Sequence, residues 1–295
     1  MYERLTKCPL CKSGLFINQL VVEDKAISKE SFIICACKNC DLWFTNPRPN
    51  HENIQNYYES PNYISHQEKT RGITDFLYLI VRKYTLRQKL NWVNSRFPKK
   101  GRLLDYGCGI GLFGKTCQSD GWETYGIEPN TNAAQIAESK NKLTLIPNLE
   151  ALQQQKKFDV ITLFHVLEHV HLLNKTVKVL LGKLKKRGLL FIAVPNRDSP
   201  DANDFQENWA AWDVPRHLYH FNVKSMNYLA NKHECRIVET IPMKFDSFYV
   251  SLLSHQYIGS KNKFIKALKS GLSSNRKANN TKKNYSSLLF ILKKK

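Results

Sequence analysis

The chain has 295 residues, a hydrophobic fraction of 42% and a formal net charge of +20, enough to bury one ordinary α/β domain and a small appendage without disulfide staples. No apolar run approaches the roughly 18 residues needed to span a bilayer, and Met1-Tyr2-Glu3-Arg4-Leu5-Thr6-Lys7 lacks the apolar core of a signal peptide. A cytoplasmic location is therefore expected, and with it eight cysteines that do not pair as disulfides.

Four of those cysteines form Cys8-Pro9-Leu10-Cys11 and Cys37-Lys38-Asn39-Cys40, two C-x-x-C pairs separated by 25 residues. Each pair can fold into a tight knuckle presenting two thiolates. Two knuckles complete the tetrahedral sulfur set that Zn²⁺ takes in structural sites, with no open position for catalysis. Residues 1–49 are expected to form a zinc-ribbon-like module in which Cys8, Cys11, Cys37 and Cys40 hold a structural zinc ion. The β-rich Phe16-Ile17 and Phe32-Ile33-Ile34 suit a hairpin, and a loose tip over 22–29 absorbs a spacing longer than the commonest ribbons have. Four core thiols, or redox use of one pair, are the alternatives to zinc, and Cys35 is a spare.

Pro47 and Pro49 stiffen the exit from the ribbon. Residues 50–100 are expected to be a linker and helical cap. The stretch 50–71 is polar and carries Tyr57, Tyr58 and Tyr63, and Thr74 to Phe97 shows helical apolar spacing through Phe76, Leu79, Ile80, Tyr84, Leu90 and Val93. Such a helix would pack on the following sheet or cover a cofactor, and Pro98-Lys99-Lys100-Gly101 stops it.

Residues 101–295 read as an α/β domain. Strands are predicted near 102–106, 123–128, 143–146, 158–164 and 189–194, and helices near 111–120, 131–140 and 172–186, the alternation of a parallel sheet. A helix over 223–232, an edge strand over 235–241, a helical segment over 247–272 and a final strand over 286–292 follow. Residues 261–295 hold eleven Lys or Arg and no Asp or Glu. That basic region suits phosphate backbone or a peripheral anionic membrane face, or serves solubility alone.

The most informative segment is Asp105-Tyr106-Gly107-Cys108-Gly109-Ile110-Gly111, directly after the apolar Leu103-Leu104. Glycines at alternate positions after a strand let the backbone turn sharply and approach a ligand. Glu128 closes the next strand, where a carboxylate can accept hydrogen bonds from both ribose hydroxyls of an adenosine. Gly109 to Gly114 also satisfies the G-x-G-x-x-G pattern of dinucleotide-binding proteins, a weak signal by itself. Asp105, two residues before the first glycine, is placed to order water or the amino group of a bound amino acid, which a dinucleotide lacks.

With the buried strand and loop Phe158 to Val170, these motifs resemble the class I S-adenosylmethionine-dependent methyltransferases, in the branch that holds the ubiquinone-biosynthesis O-methyltransferases and many small-molecule and sugar methyltransferases. The resemblance covers about residues 85–245. It implies a Rossmann-like fold: a seven-stranded, mostly parallel sheet with helices on both faces and the last strand antiparallel inside it. It implies S-adenosyl-L-methionine as cofactor, with Asp105, Gly107 and Gly109 facing the methionine end in a turn continued by Gly111. Glu128 would meet the ribose, Pro129 and Asn130 would lie beside the adenine, and His165 would point toward the methionine moiety. Family members usually place an acidic residue after the third strand to meet the adenine amino group. Asn148, followed by Leu149, stands there instead, and its carbonyl can accept that hydrogen bond without the charge.

Leu167-Glu168-His169-Val170 also resembles the family, with Glu168 and His169 placed for a substrate or a metal, or His169 holding the loop. Pro215-Arg216-His217-Leu218-Tyr219-His220-Phe221 resembles the family's substrate-side insertion. His217 and His220 are the candidate bases, because an imidazole titrates near neutral pH. His217 is preferred, since it follows Pro215-Arg216 and proline restricts the backbone; that both fix the loop is the alternative. Trp209 and Trp212 either stack on a planar or sugar acceptor or form the core of a lid.

The expected activity is methyl transfer to a small-molecule or glycan- or lipid-linked acceptor, with oxygen favoured over carbon or nitrogen. The rival is a zinc-containing ribosomal-RNA or other nucleic-acid methyltransferase. It is disfavoured because Phe164-His165-Val166-Leu167 stands where base-amine methyltransferases carry Asn/Asp-Pro-Pro-Tyr. The sequence does not specify an oligomeric state.

Overall fold

The computed structural model describes residues 1–58, 73–281 and 283–295, with side chains in the first long helix from 81 onward. Tyr63, and the side chains of Phe76, Leu79 and Ile80 that mark the cap helix in the sequence, lie outside the described residues.

The amino-terminal segment holds β1 (Tyr2–Glu3), β2 (Phe16–Glu23), β3 (Ser31–Cys37), β4 (Trp43–Thr45) and β5 (Arg48–Pro49). β2 and β3 form an antiparallel hairpin, β4 pairs with β3, and β1 pairs with β5. The hairpin tip is fixed where the spacing suggested a loose one. Asp24 is 1% exposed, and its carboxylate accepts from the backbone N–H groups of Ala26, Ile27 and Ser28. An aspartate that binds its own following backbone replaces disorder with a defined turn.

The larger unit follows: α1 (Ile73–Arg96), β6 (Arg102–Tyr106), α2 (Leu112–Ser119), β7 (Glu123–Ile127), α3 (Thr131–Ser139), β8 (Thr144–Leu145), α4 (Leu149–Leu152), β9 (Phe158–Phe164), α5 (Leu173–Lys183) and β10 (Leu184–Pro195). After them come α6 (Pro200–Phe205), β11 (Tyr219–His220), α7 (Val223–Lys232), β12 (Cys235–Pro242), α8 (Asp246–Tyr257), α9 (Lys263–Asn280) and β13 (Ser287–Lys294). The main sheet has seven strands in the order β12-β13-β10-β9-β6-β7-β8. β10, β9, β6, β7 and β8 run parallel, and β13 lies antiparallel between β10 and β12. The central strands are buried on both faces, which is why Leu189 to Val194 is a continuous apolar run rather than an alternating one.

Two boundaries differ from the sequence expectation. The helix expected to reach 186 ends at Lys183, because Leu184 already pairs with Phe158 and the register shifts before Leu189. The helical segment 247–272 is broken into α8 and α9. Gly259, at φ +63°, ends α8 in the left-handed conformation that terminates helices, and Asn262 turns the chain at φ +55° before α9.

β11 leaves the larger unit and pairs with β4, Tyr219 opposite Phe44 and His220 opposite Trp43, so that the second sheet reads β11-β4-β3-β2. One apolar cluster runs from Cys8, Leu10, Leu42 and Phe44 through Leu218, Tyr219 and Phe221 into Ile161, Leu163 and Leu190 of the main sheet. The cysteine-bearing segment is thus built onto the core beside the carboxyl ends of the parallel strands, where open α/β sheets bind ligands.

Candidate active site

Asp105 is the penultimate residue of β6 and is 4% exposed. Its Oδ1 accepts from the Thr162 hydroxyl on β9 at 2.7 Å. Burial raises its pKa to about 6, against the lowering effects of Thr162 and of Lys89 from α1. Gly107, Gly109 and Gly111 then turn the chain with φ of +75°, +53° and +80°. A Cβ on Gly107 would stand 2.4 Å from a Val166 methyl, whereas one on Gly109 would meet nothing within 4 Å, so the backbone at Gly109 borders open space.

The Glu128 carboxylate is held from two sides, by the Gly109 N–H at 2.8 Å and the Asn130 N–H at 2.9 Å. Each oxygen keeps a further lone pair, the capacity needed to accept two ribose hydroxyls. Pro129 and Asn130 are exposed beside it. Asn130 caps α3 through Ala133 N–H, and Asn148 caps α4 through Ala151 N–H at 2.8 Å, with Leu149 half-buried next to it. The Asn148 carbonyl, expected to be free for an adenine amine, therefore already has one partner and keeps one lone pair.

His165 follows β9 at φ +59°, an uncommon conformation for a residue with a side chain. Its Nε2 lies 3.0 Å from Asp246 on α8 and its Nδ1 3.6 Å from Glu168. Burial opposes a charge on the ring, but the two carboxylates outweigh it and push the pKa up to about 9. His165 is thus an ion-paired imidazolium at neutral pH.

The second cluster lies under the 211–220 loop. Glu168 is fully buried, and neither carboxylate oxygen has a hydrogen-bond partner among the described residues. His217 Nδ1 is 2.9 Å from the Ala211 carbonyl, and His169 Nδ1 is 3.0 Å from the Arg216 carbonyl. A carbonyl only accepts, so His217 Nδ1 carries a proton, while His169 Nδ1 also meets the Tyr58 hydroxyl at 2.9 Å. His217 Nε2 stands 4.0 Å from Glu168 and 3.9 Å from Asp213. The rings of His169 and His217 meet edge to face at 4.6 Å. Burial, then His217, lowers the pKa of His169 to about 4. One ligand atom from each of Glu168, His169 and His217 lies within 4.8 Å of the other two.

His220, the alternative base in the sequence, is spent elsewhere. It is 4% exposed on β11, with Nε2 3.2 Å from Thr45 Oγ1, and Thr45 in turn donates to the His217 carbonyl at 2.8 Å. Burial and the neighbouring His217 hold its pKa well below the ordinary range. The two tryptophans are also accounted for. Trp209 donates to Asp201 and Trp212 to the Gln206 carbonyl, both are nearly fully buried, and Trp212 stacks on Trp43 at 6.0 Å. Both are core side chains, with almost no surface left to stack on an acceptor. Arg216, 2% exposed, ties the same loop to the hairpin tip through Asp24 at 2.9 Å and to Asp213 at 2.7 Å.

In the amino-terminal segment, Lys12 and Asp41 follow the two cysteine pairs at φ +67° and +61°. Their N–H groups return to the carbonyls of Cys8 and Cys37 at 3.0 and 3.2 Å, which makes the two knuckles alike. The sulfurs of Cys8 and Cys40, and of Cys11 and Cys37, lie 3.5 Å apart, and all four fall within 4.8 Å of one another. A tetrahedron with Zn–S of about 2.3 Å places its sulfurs about 3.8 Å apart. The four thiols fit that ion.

A family model described as a methyltransferase domain matches residues 78–240, more than half of the chain. The chain belongs to this methyltransferase family. Among curated proteins it is similar to the ubiquinone biosynthesis O-methyltransferase of Pelagibacter ubique, 35% identical over 105 residues, or 34% of this chain and 44% of that protein. It is also similar to that of Albidiferax ferrireducens, 30% identical over 119 residues, covering 37% and 47%. The chain spans less than half the length of these relatives. Among solved structures, magnesium protoporphyrin IX methyltransferase from Synechocystis with bound SAH aligns with a TM-score of 0.55 at 12% identity, over 83% of this chain and 100% of that one. That likeness shows the methyltransferase fold. No helix is long and apolar enough to cross a membrane among the described residues.

The sequence reading missed Lys89, Asp213 and Asp246. Lys89 Nζ lies 4.3 Å from the Phe164 ring centre, and both Asp105 and Asp246 act on its charge. A lysine on a helix far upstream carries no local signal of this proximity.

Proposed function

We propose that the chain transfers a methyl group from S-adenosyl-L-methionine to a hydroxyl of a small-molecule or glycan- or lipid-linked acceptor, with His217 as the base. The observation that carries this reading is the buried Glu168 carboxylate 4.0 Å from Nε2 of His217, a ring whose Nδ1 is anchored on the Ala211 carbonyl. The open side of Gly109 and the spare lone pairs of Glu128 suit the cofactor. When bound, it supplies a methyl group on a positively charged sulfur, activated for in-line displacement.

The residues supply alignment and a proton acceptor. Asp105 would hold the cofactor's ammonium and Glu128 its ribose hydroxyls, with Pro129-Asn130 and Asn148-Leu149 on the adenine side. His217 Nε2 would take the proton of the acceptor hydroxyl as that oxygen is methylated. Glu168 then stabilises the imidazolium. Proximity supplies most of the rate. We propose further that Cys8, Cys11, Cys37 and Cys40 hold one structural zinc ion, and that residues 1–49 act as a wall of the acceptor side while 50–100 link and cap.

Two measurements test the cofactor half. Calorimetry should show that Glu128→Ala weakens S-adenosylmethionine and its demethylated product alike, by on the order of 1.5–3 kcal/mol for each charge-assisted hydrogen bond lost. Affinity should also fall below pH 6, because Asp105, with its pKa raised to about 6, becomes neutral there and no longer attracts an ammonium. Tight NAD binding with no response to S-adenosylmethionine would overturn the assignment. For the acceptor, methyl-labelled cofactor should mark the small-metabolite or lipid fraction of the source cells, and label confined to RNA would sink this reading.

A further inference from the structure

Two faces of α9 are used differently. Ala267, Gly271, Ser274 and Ala278 are buried, and the Gly271 position leaves room for no Cβ beside Phe248, whose ring would stand 2.5 Å away. About 100° round the helix, Phe264, Ile265, Leu268 and Leu272 are 60%, 59%, 56% and 55% exposed. Their spacing puts all four on one side, a continuous apolar strip. Ile258, at the end of α8, is 46% exposed.

Lys266, Lys269 and Arg276 are exposed on the same helix, with Lys261 just before it. None of the four has a carboxylate partner within 4 Å among the described residues, and no acidic residue occurs from 261 to the end of the chain. That pairing of apolar strip and uncompensated cations selects the occupant. Protein interfaces are depleted in lysine. Single-stranded nucleic acid uses cations interleaved with aromatic platforms, and Phe264 is the one aromatic residue in α9. An anionic bilayer takes both: apolar side chains enter the acyl boundary while lysine stems reach back to the phosphates.

We propose that α9 docks in the plane of an anionic lipid membrane, with Phe264, Ile265, Leu268 and Leu272 in the acyl boundary and Lys261, Lys266, Lys269 and Arg276 at the headgroup phosphates. The proposal is independent of the acceptor's identity, since none of these residues belongs to the site above.

The test is co-sedimentation of the full chain with phosphatidylcholine vesicles, with and without phosphatidylglycerol. Binding should be about tenfold or more stronger to the anionic vesicles at low salt, and should fall as salt screens the headgroups. Phe264→Ser/Leu268→Ser should lose most of that binding, and Lys266→Glu/Lys269→Glu the preference for phosphatidylglycerol. Both variants should keep the wild-type melting curve and S-adenosylmethionine affinity, because the changed residues are exposed. Equal partitioning to neutral and anionic vesicles, or wild-type binding by the Phe264→Ser/Leu268→Ser variant, overturns the proposal. So does concentration-dependent self-association abolished by that variant, or RNA binding lost with Lys266→Glu/Lys269→Glu in the absence of any vesicle binding.

Discussion

Removing the zinc ion proposed for the Cys8, Cys11, Cys37 and Cys40 site is expected to lower the unfolding temperature of the whole chain and to weaken cofactor binding with it. Structural zinc contributes about 10–16 kcal/mol to small ribbons at neutral pH, because the thiolate site exists only in the folded state. Here that energy would not be confined to a ribbon. Cys8, Cys37 and Cys40 sit in the same apolar cluster as Tyr219, Phe221 and Leu190, and β4 pairs with β11 from the methyltransferase unit. Losing even about 4 kcal/mol at the melting midpoint lowers it by on the order of 6 °C in a chain of this size. Elemental analysis should find one zinc per chain, and the Cys37→Ser variant or chelator-treated protein should melt earlier in one cooperative step. A separate low-temperature transition with the main one unmoved would mean that the segment is an independent appendage. A folded metal-free protein with an unchanged melt would remove zinc altogether.

What the sequence displayed were the features whose cause is local. The glycine turn needs glycines because its backbone has positive φ, Glu128 needs only its place at a strand end, and each cysteine knuckle is closed within a few residues of its own pair. Periodicity gave the parallel strands for the same reason, and the antiparallel final strand followed from family resemblance. What stayed hidden was the joining of distant segments. The Asp24–Arg216 ion pair spans 192 positions, and Thr45 meets His217 and His220 across more than 170. Neither a short polar loop nor a two-residue strand such as Tyr219-His220 has a pattern that names its partner. In the sequence His217 is preferred over His220 only because it follows Pro215-Arg216, and the pairing of β11 with β4 separates them on structural grounds. The break at Gly259 was visible as a residue, but the apolar spacing on both sides of it reads as one helix until the turn is seen.

The same joint leads to the prediction about the base. His217→Gln is expected to lower turnover by roughly 10²–10⁴-fold on the acceptor found by labelling, a loss of about 2.7–5.4 kcal/mol in transition-state stabilisation, while cofactor affinity stays nearly unchanged. Glutamine keeps an N–H that can still donate to the Ala211 carbonyl, so the loop retains its anchor and the change removes chiefly the basic nitrogen. A purely structural role would instead raise KM or lower the melting temperature with little effect on kcat. Glu168→Gln should reduce kcat by a smaller factor, since it leaves the base in place but takes away the carboxylate that stabilises the imidazolium across 4.0 Å. His220→Gln should act on stability, through Thr45 and the β4–β11 joint, rather than on chemistry. Near-normal kcat in the His217 variant would shift the proton to another acceptor. His169, whose pKa of about 4 keeps its ring neutral, would be the next residue to change.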